Sequence, residues 1–202
     1  IGFCLVGSEM CIRDSSSASS DGITLANDGS VTFPGNATCS GTATGFGGGK
    51  LLQVIQTEKN DTTSTSSTSW SDITGMSVTI TPSSSSSKIF VETRFKAAAG
   101  DVVYIALTTG DGTPIIQASG SGFAEKPAIS IYSGGNSSGE SWYNGDMSTV
   151  CKLHSPNTTS AVTYKLRWRV NSNTAYLNRN MDMGGQYNAP VASTITVMEI
   201  GA

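Results

Sequence analysis

The sequence predicts an all-β protein, an antiparallel β-sandwich, and three observations predict it. The first is the stretch Ala161-Val-Thr-Tyr-Lys-Leu-Arg-Trp-Arg-Val170, which alternates strictly. Val162, Tyr164, Leu166, Trp168 and Val170 fall on one face, and Thr163, Lys165, Arg167 and Arg169 fall on the other. That period of two describes a strand with one dry face and one wet or partner-facing face. Burying its apolar side chains contributes about 8–15 kcal/mol as an upper bound, enough to make it a floor for other strands. The second is that the remaining chain breaks into short alternating or apolar runs bounded by Gly, Asn, Asp and Ser. The third is the lack of a credible amphipathic helix in a chain with 23 glycines and long Ser/Thr/Asn tracts. About nine or ten strands, the last at the C-terminus, fit a jelly roll first and an immunoglobulin-like sandwich as the alternative.

With 202 residues of which 37% are hydrophobic, the chain is long enough to bury a core in one or two domains. A formal charge of −3 argues against a nucleic-acid partner, which calls for a basic patch. No apolar run approaches the roughly 18 residues that cross a bilayer as a helix, so membrane insertion is not expected.

Residues 1–15 stand apart. Glu9, Arg13 and Asp14 interrupt any apolar core of a secretion signal. The run Cys4-Leu-Val-Gly-Ser-Glu-Met-Cys-Ile-Arg-Asp14 instead resembles transposase-end sequencing-adapter DNA translated in one frame. The expectation is a non-native leader on a chain truncated at its true N-terminus. Excluding it removes Cys4 and Cys11 and leaves Cys39 and Cys151, too few for a disulfide scaffold and without metal-ligand spacing. It also removes Arg13, Glu9 and Asp14, so 12 − 1 = 11 basic and 15 − 2 = 13 acidic residues remain.

Residues 16–49 form a Ser/Gly-rich collar or shaft segment. Gly22-Ile-Thr-Leu-Ala-Asn-Asp-Gly-Ser-Val-Thr-Phe33 reads as two short strands around the turn signal Asn27-Asp-Gly29. Its few apolar residues cannot make a core alone, which suits a piece that packs against copies of itself. Gly45-Phe-Gly-Gly-Gly49 then marks a hinge.

Residues 50–202 form the sandwich domain. Leu51–Ile55 is a short strand apolar on both faces, and Glu58–Ser69 is a polar loop. Trp70–Ile73 and Met76–Pro82 follow, the second with Met76, Val78 and Ile80 inward. Pro82 and the serines 83–87 end it, and Lys88–Phe95 returns. Asp101–Thr108 is apolar on both faces and belongs in the interior, with a hairpin turn at Asp111-Gly112 before Pro114–Ala118. Phe123–Asn144 holds the loop Gly134–Gly139, and Thr149–His154 leads into the alternating strand already described. Thr174–Asn178 is a short partner strand, Arg179–Pro190 a long loop, and Ser193–Ile200 the closing strand. Two-faced apolar strands need cover on both sides, and one sandwich covers one. Leu51, Val54, Ile195 and Val197 are therefore expected at an interface with another chain.

Several separated runs resemble the C-terminal domain of tail-fibre or virion structural proteins of marine bacteriophages. They are Gly49-Lys-Leu-Leu-Gln-Val54, Trp70–Pro82, Ser87-Lys-Ile89, Leu153–Tyr164, Tyr176-Leu-Asn-Arg179 and Ser193–Ile200, while Gly22–Phe33 resembles the collar before such tips. The likeness spans about residues 20–202 and consists of strands and turns without a catalytic signature; Phe123–Met147 shows no family pattern. It implies a homotrimeric fibre tip in the virion, located at the tail fibre or particle surface. Its loops would adsorb to a host surface glycan or protein receptor, and a missing N-terminal portion would join other virion proteins. A capsid-decorating protein and a secreted bacterial carbohydrate-binding module or adhesin are the rival readings.

The residues themselves name few sites. Trp142 and Tyr143 beside a Gly/Ser/Asn loop, and Tyr187 in the 179–190 loop, are candidates to stack on sugar rings or touch a receptor, or are core and rim residues. His154 adjoins Ser155, but no nucleophile elbow or orienting acid accompanies them, and an enzyme is not expected. Asn144-Gly-Asp146 and Asp182-Met-Gly-Gly185 are oxygen-rich turns lacking the spaced acidic loop of a calcium site. No metal or other cofactor is expected.

Overall fold

A computed structural model describes residues 2–6, 9–13, 23–25, 31–32, 50–119, 127–132, 145–181 and 189–201. It divides within the glycine run into a unit of residues Ile1–Gly47 and a unit of residues Gly48–Ala202. The first holds β1 (Gly2–Val6), β2 (Glu9–Arg13), β3 (Ile23–Leu25) and β4 (Val31–Thr32), hydrogen-bonded in that order. The hairpin expected around Asn27–Gly29 is the antiparallel pair β3–β4, with Thr24 opposite Thr32 and Leu25 opposite Val31. Within residues 1–15 lie β1 and β2, paired with each other.

The second unit is an antiparallel sandwich with no helix among the described residues. Its strands are β5 (Leu51–Lys59), β6 (Thr63–Thr65), β7 (Ser71–Ile80), β8 (Lys88–Ala99), β9 (Val102–Thr109), β10 (Ile129–Tyr132), β11 (Asp146–His154), β12 (Val162–Val170), β13 (Ala175–Leu177) and β14 (Ser193–Ile200). One sheet runs β10-β9-β12-β7; the other runs β5-β14-β8, with β11 on the far edge of β8, while the short β13 pairs with β8 at Ala97–Ala99, past the β14 register, and carries β6. Setting aside the three-residue β6 and β13, four of the hydrogen-bonded pairs are nested, while β14–β8 and β12–β9 join those pairs within their sheets. The outermost strands in sequence pair as β5–β14, then β7–β12, then β8–β11, and finally β9–β10.

Alternation explains the core. Met76, Val78 and Ile80 from β7 and Tyr164, Leu166, Trp168 and Val170 from β12 face Ile89, Val91 and Phe95 from β8 and Ile195 and Val197 from β14. The two segments expected at 70–73 and 76–82 are one strand. It carries a bulge where Gly75 sits at φ +84°, so that Met76 returns inward after two outward residues. β9 is interior as expected, with Val103, Ile105 and Leu107 buried on one face and Ala106 and Thr108 on the other. The turn at Asp111-Gly112 forms, with Gly112 at φ +92° and Asp111 accepting from Thr113 N and the Thr109 and Thr113 hydroxyls. Its return arm shrinks to a bridge between Thr108 and Pro114.

Two buried polar hubs tie strand ends together. Asn178, at φ +63° just after β13, donates from Nδ2 to the Lys59 and Asp61 carbonyls at 2.7 and 2.9 Å, and its Oδ1 accepts from Ser193 Oγ. A left-handed conformation suits asparagine better than most residues. Glu199, fully buried in β14, accepts from Gln53 Nε2 at 2.6 Å and from Ser83 N and Oγ, each at 2.7 Å. It thereby fastens the serine-rich loop after β7 to both β5 and β14.

Candidate interaction surface

The register of β5, β14, β8 and β11 determines which side chains share the outer face of their sheet. Directly opposed residues of an antiparallel pair lie on the same side, so side chains line up in rows across the strands. One row is Val54, Met198, Phe90 and Leu153. On one side of it lie Leu51, Ile200 and Lys88. On its other side lie Gln56, Thr196, Glu92 and Cys151, and beyond these Glu58, Thr194, Arg94 and Thr149. The large hydrophobic residues exposed among the described residues are Leu51 at 60%, Leu52 at 45%, Val54 at 51%, Met147 at 55% and Leu153 at 45%. All belong to β5 or β11, the strands flanking this face. A sheet face with a continuous apolar row open to water is a recognised mark of an interaction surface.

Leu51 and Val54 therefore stand where a partner can reach them. Ile195 and Val197 do not, which corrects the expectation for them. Both are 0% exposed and lie in the core of their own chain, because alternation along β14 turns them to the inner face. The outward apolar residues of β14 are Met198 and Ile200, and with Phe90 and Leu153 they are the members of the surface that strand pattern alone missed. Only the cross-strand register joins residues so distant in sequence. Trp142, Tyr143 and Tyr187, the candidate receptor residues, lie outside the described residues, as does Asp182 of the 179–190 loop. Arg179 of that loop stacks 4.1 Å from the Tyr176 ring centroid and donates to the carbonyls of Asn180 and Met181.

The outer face of the other sheet is chemically different. Lys165 Nζ lies 2.7 Å from Asp72 Oδ2 and Arg167 Nε 2.9 Å from Asp72 Oδ1. The Lys165 hydrogen bond is the first cause holding the Asp72 carboxyl below its usual range, with Arg167 adding to it. Arg167 also donates to the Trp70 carbonyl, and Arg169 stacks 4.7 Å from the Tyr104 centroid while donating to Thr68 O.

His154 joins the two sheets. Its Nδ1 lies 2.9 Å from the Tyr164 hydroxyl, with the rings edge-to-face at 5.7 Å. Burial, reinforced by Lys152, lowers the His154 pKa, and burial raises that of Tyr164 to about 12. A neutral imidazole accepting from a protonated phenol satisfies both. Ser155, its neighbour in sequence, makes no side-chain hydrogen bond among the described residues. Among the described residues no cluster of three or more His, Cys, Asp or Glu side chains is placed to hold a metal ion, and no helix is long and apolar enough to cross a membrane. Cys151 is a free, exposed thiol in the Glu92 row.

No protein-family model and no curated protein sequence matches the chain.

Proposed function

We propose that the chain is a non-enzymatic, phage tail-fibre-like structural protein of the virion, whose homotrimeric sandwich tip adsorbs to a glycan or protein on the host surface. The observation that carries this reading is the one-sided apolar surface, with Leu51, Val54, Phe90, Met198 and Leu153 on a single sheet face. Such a face suits a subunit that is stable only partly on its own account and is completed by copies of itself. We read the nested pairing, first strand with last and so inward, as the jelly roll. Its consecutive strands β5 and β7 enter opposite sheets, whereas an immunoglobulin sandwich pairs its first two strands in one sheet. The sequence resemblance to marine phage fibre tips supports the same reading.

Immunogold labelling tests it. An antibody against the chain, applied to a virus-enriched marine fraction, is expected to decorate particle tails. Gold on capsids would replace this reading with a capsid-decorating role. Unlabelled particles, together with saturable glycan binding by a monomeric protein, would replace it with a secreted carbohydrate-binding module or adhesin.

A further inference from the structure

Resting on the fibre reading, we infer that the outer face of the β5-β14-β8-β11 sheet is covered by a second copy of this chain packed with its strands parallel to the symmetry axis, and that Glu58 of one copy pairs with Arg94 of the next. The argument starts from which charges on this face are left unsatisfied. Arg94 has no ion-pair or hydrogen-bond partner among the described residues, and Glu58 takes one bond, 3.3 Å long, from Asn60. Both are exposed and occupy one row, separated by Thr194 on the strand between them. Two strand spacings hold them about 10 Å apart at the backbone.

An axis parallel to the strands keeps each row at its own height. It sets the apolar row of one copy against that of the next, Val54 near Phe90 and Leu153. In the row of Glu58 it brings an acid on the edge strand β5 against a base on the interior strand β8. Opposite charges then meet at the rim of the covered face, two rows from the apolar one, where such pairs set register and partner choice. The arrangement also lets every copy begin β5 from the same end, at Leu51. An axis running across the strands would reverse the neighbour. It would lay Lys88 over Glu92, which flank the apolar row on opposite sides.

Charge reversal in the full chain, read by light scattering after size exclusion over a dilution series, distinguishes these. The wild type is expected to associate, and Glu58→Arg and Arg94→Glu each to weaken association about tenfold or more. The double variant E58R/R94E should recover most of the loss, and the melting temperatures of the dissociated chains should agree, since both side chains are exposed. A wild type that stays monomeric overturns the proposal. So do single variants that associate normally, a double variant no better than the singles, and rescue by the pair K88E/E92K in its place. Failure here leaves tail labelling untouched, and unlabelled particles would leave a measured Glu58–Arg94 coupling untouched, so the interface and the fibre reading fail separately.

Discussion

The two outer faces of the sandwich are made from the same kind of strand and end in opposite states. On β9, β12 and β7, polar groups meet at once: Lys165 and Arg167 share Asp72, Arg169 lies over Tyr104, and the Thr79 and Thr163 hydroxyls meet at 2.8 Å. On β5, β14, β8 and β11, apolar side chains line up with one another, and the charges beside them fall in rows without an opposite charge on the adjacent strand. A face that satisfies itself has little to offer a partner; the other keeps apolar side chains and charges open to water. The contrast arises from register, because a shift of two residues along β8 would move Glu92 into the row of Val54 and break the apolar line.

The comparison breaks most sharply between inner and outer leucines. Leu166→Ala, at a fully buried position on β12, should cost about 2–5 kcal/mol in chemical denaturation. Leu153→Ala, on the open face, should leave the stability of the isolated chain within about 0.5 kcal/mol and act on association instead.

Next in size is Glu199. Replacing it with alanine strands Gln53 Nε2 and the Ser83 donors and should cost about 2–4 kcal/mol at neutral pH. Hydrogen bonds from Gln53 and Ser83 outweigh burial and hold the Glu199 pKa at about 2, against 4.5 ordinarily. A depressed carboxyl pKa stabilises the fold above the unfolded value and loses that contribution as pH falls from about 4.5 towards 2. Glu199→Gln should therefore flatten the decline of wild-type stability over that interval, which denaturation midpoints at successive pH values will measure.

Smaller again is Asp72→Asn on the self-satisfied face, expected to cost about 1 kcal/mol or less because the pair is exposed to water, and to leave association unchanged. The least effect belongs to His154. Its lowered pKa means that the unfolded chain takes up its proton first, so stability is complete above pH 6.5 and declines below it. His154→Asn should remove that shallow slope from a pH series of melting temperatures.

How far the sequence discloses this follows the same division. Inward residues were legible where alternation is clean, as in Met76, Val78 and Ile80 or Tyr164, Leu166 and Trp168, since burial on one face imposes the pattern directly. Polar strand residues were not: β5 runs on to Lys59 and β6 occupies Thr63–Thr65 because β14 and β13 supply backbone partners, and neither segment has an apolar period to announce it. β10, short and set among loops, was missed for the same reason. Ile195 and Val197 misled because a run apolar on both faces does not say which face its own chain covers. Glu199, two residues on from Val197 and on the same inner face, departs from the pattern, and its partners Gln53 and Ser83 lie too far along the chain to be paired by reading. Two members of the candidate surface, Leu51 and Val54, were visible as excess apolar character; Phe90, Met198, Ile200 and Leu153 joined it only through register.

The most direct measurement is the rate at which Cys151 is alkylated, followed by peptide mass spectrometry in the wild type and in Glu58→Arg. Cys151 is exposed on the isolated chain and sits between the apolar row and the row of Arg94. If copies cover this face, Cys151 reacts several-fold more slowly in the wild type than in the variant. Equal, rapid alkylation in both would mean that the face stays open to water, contradicting the account.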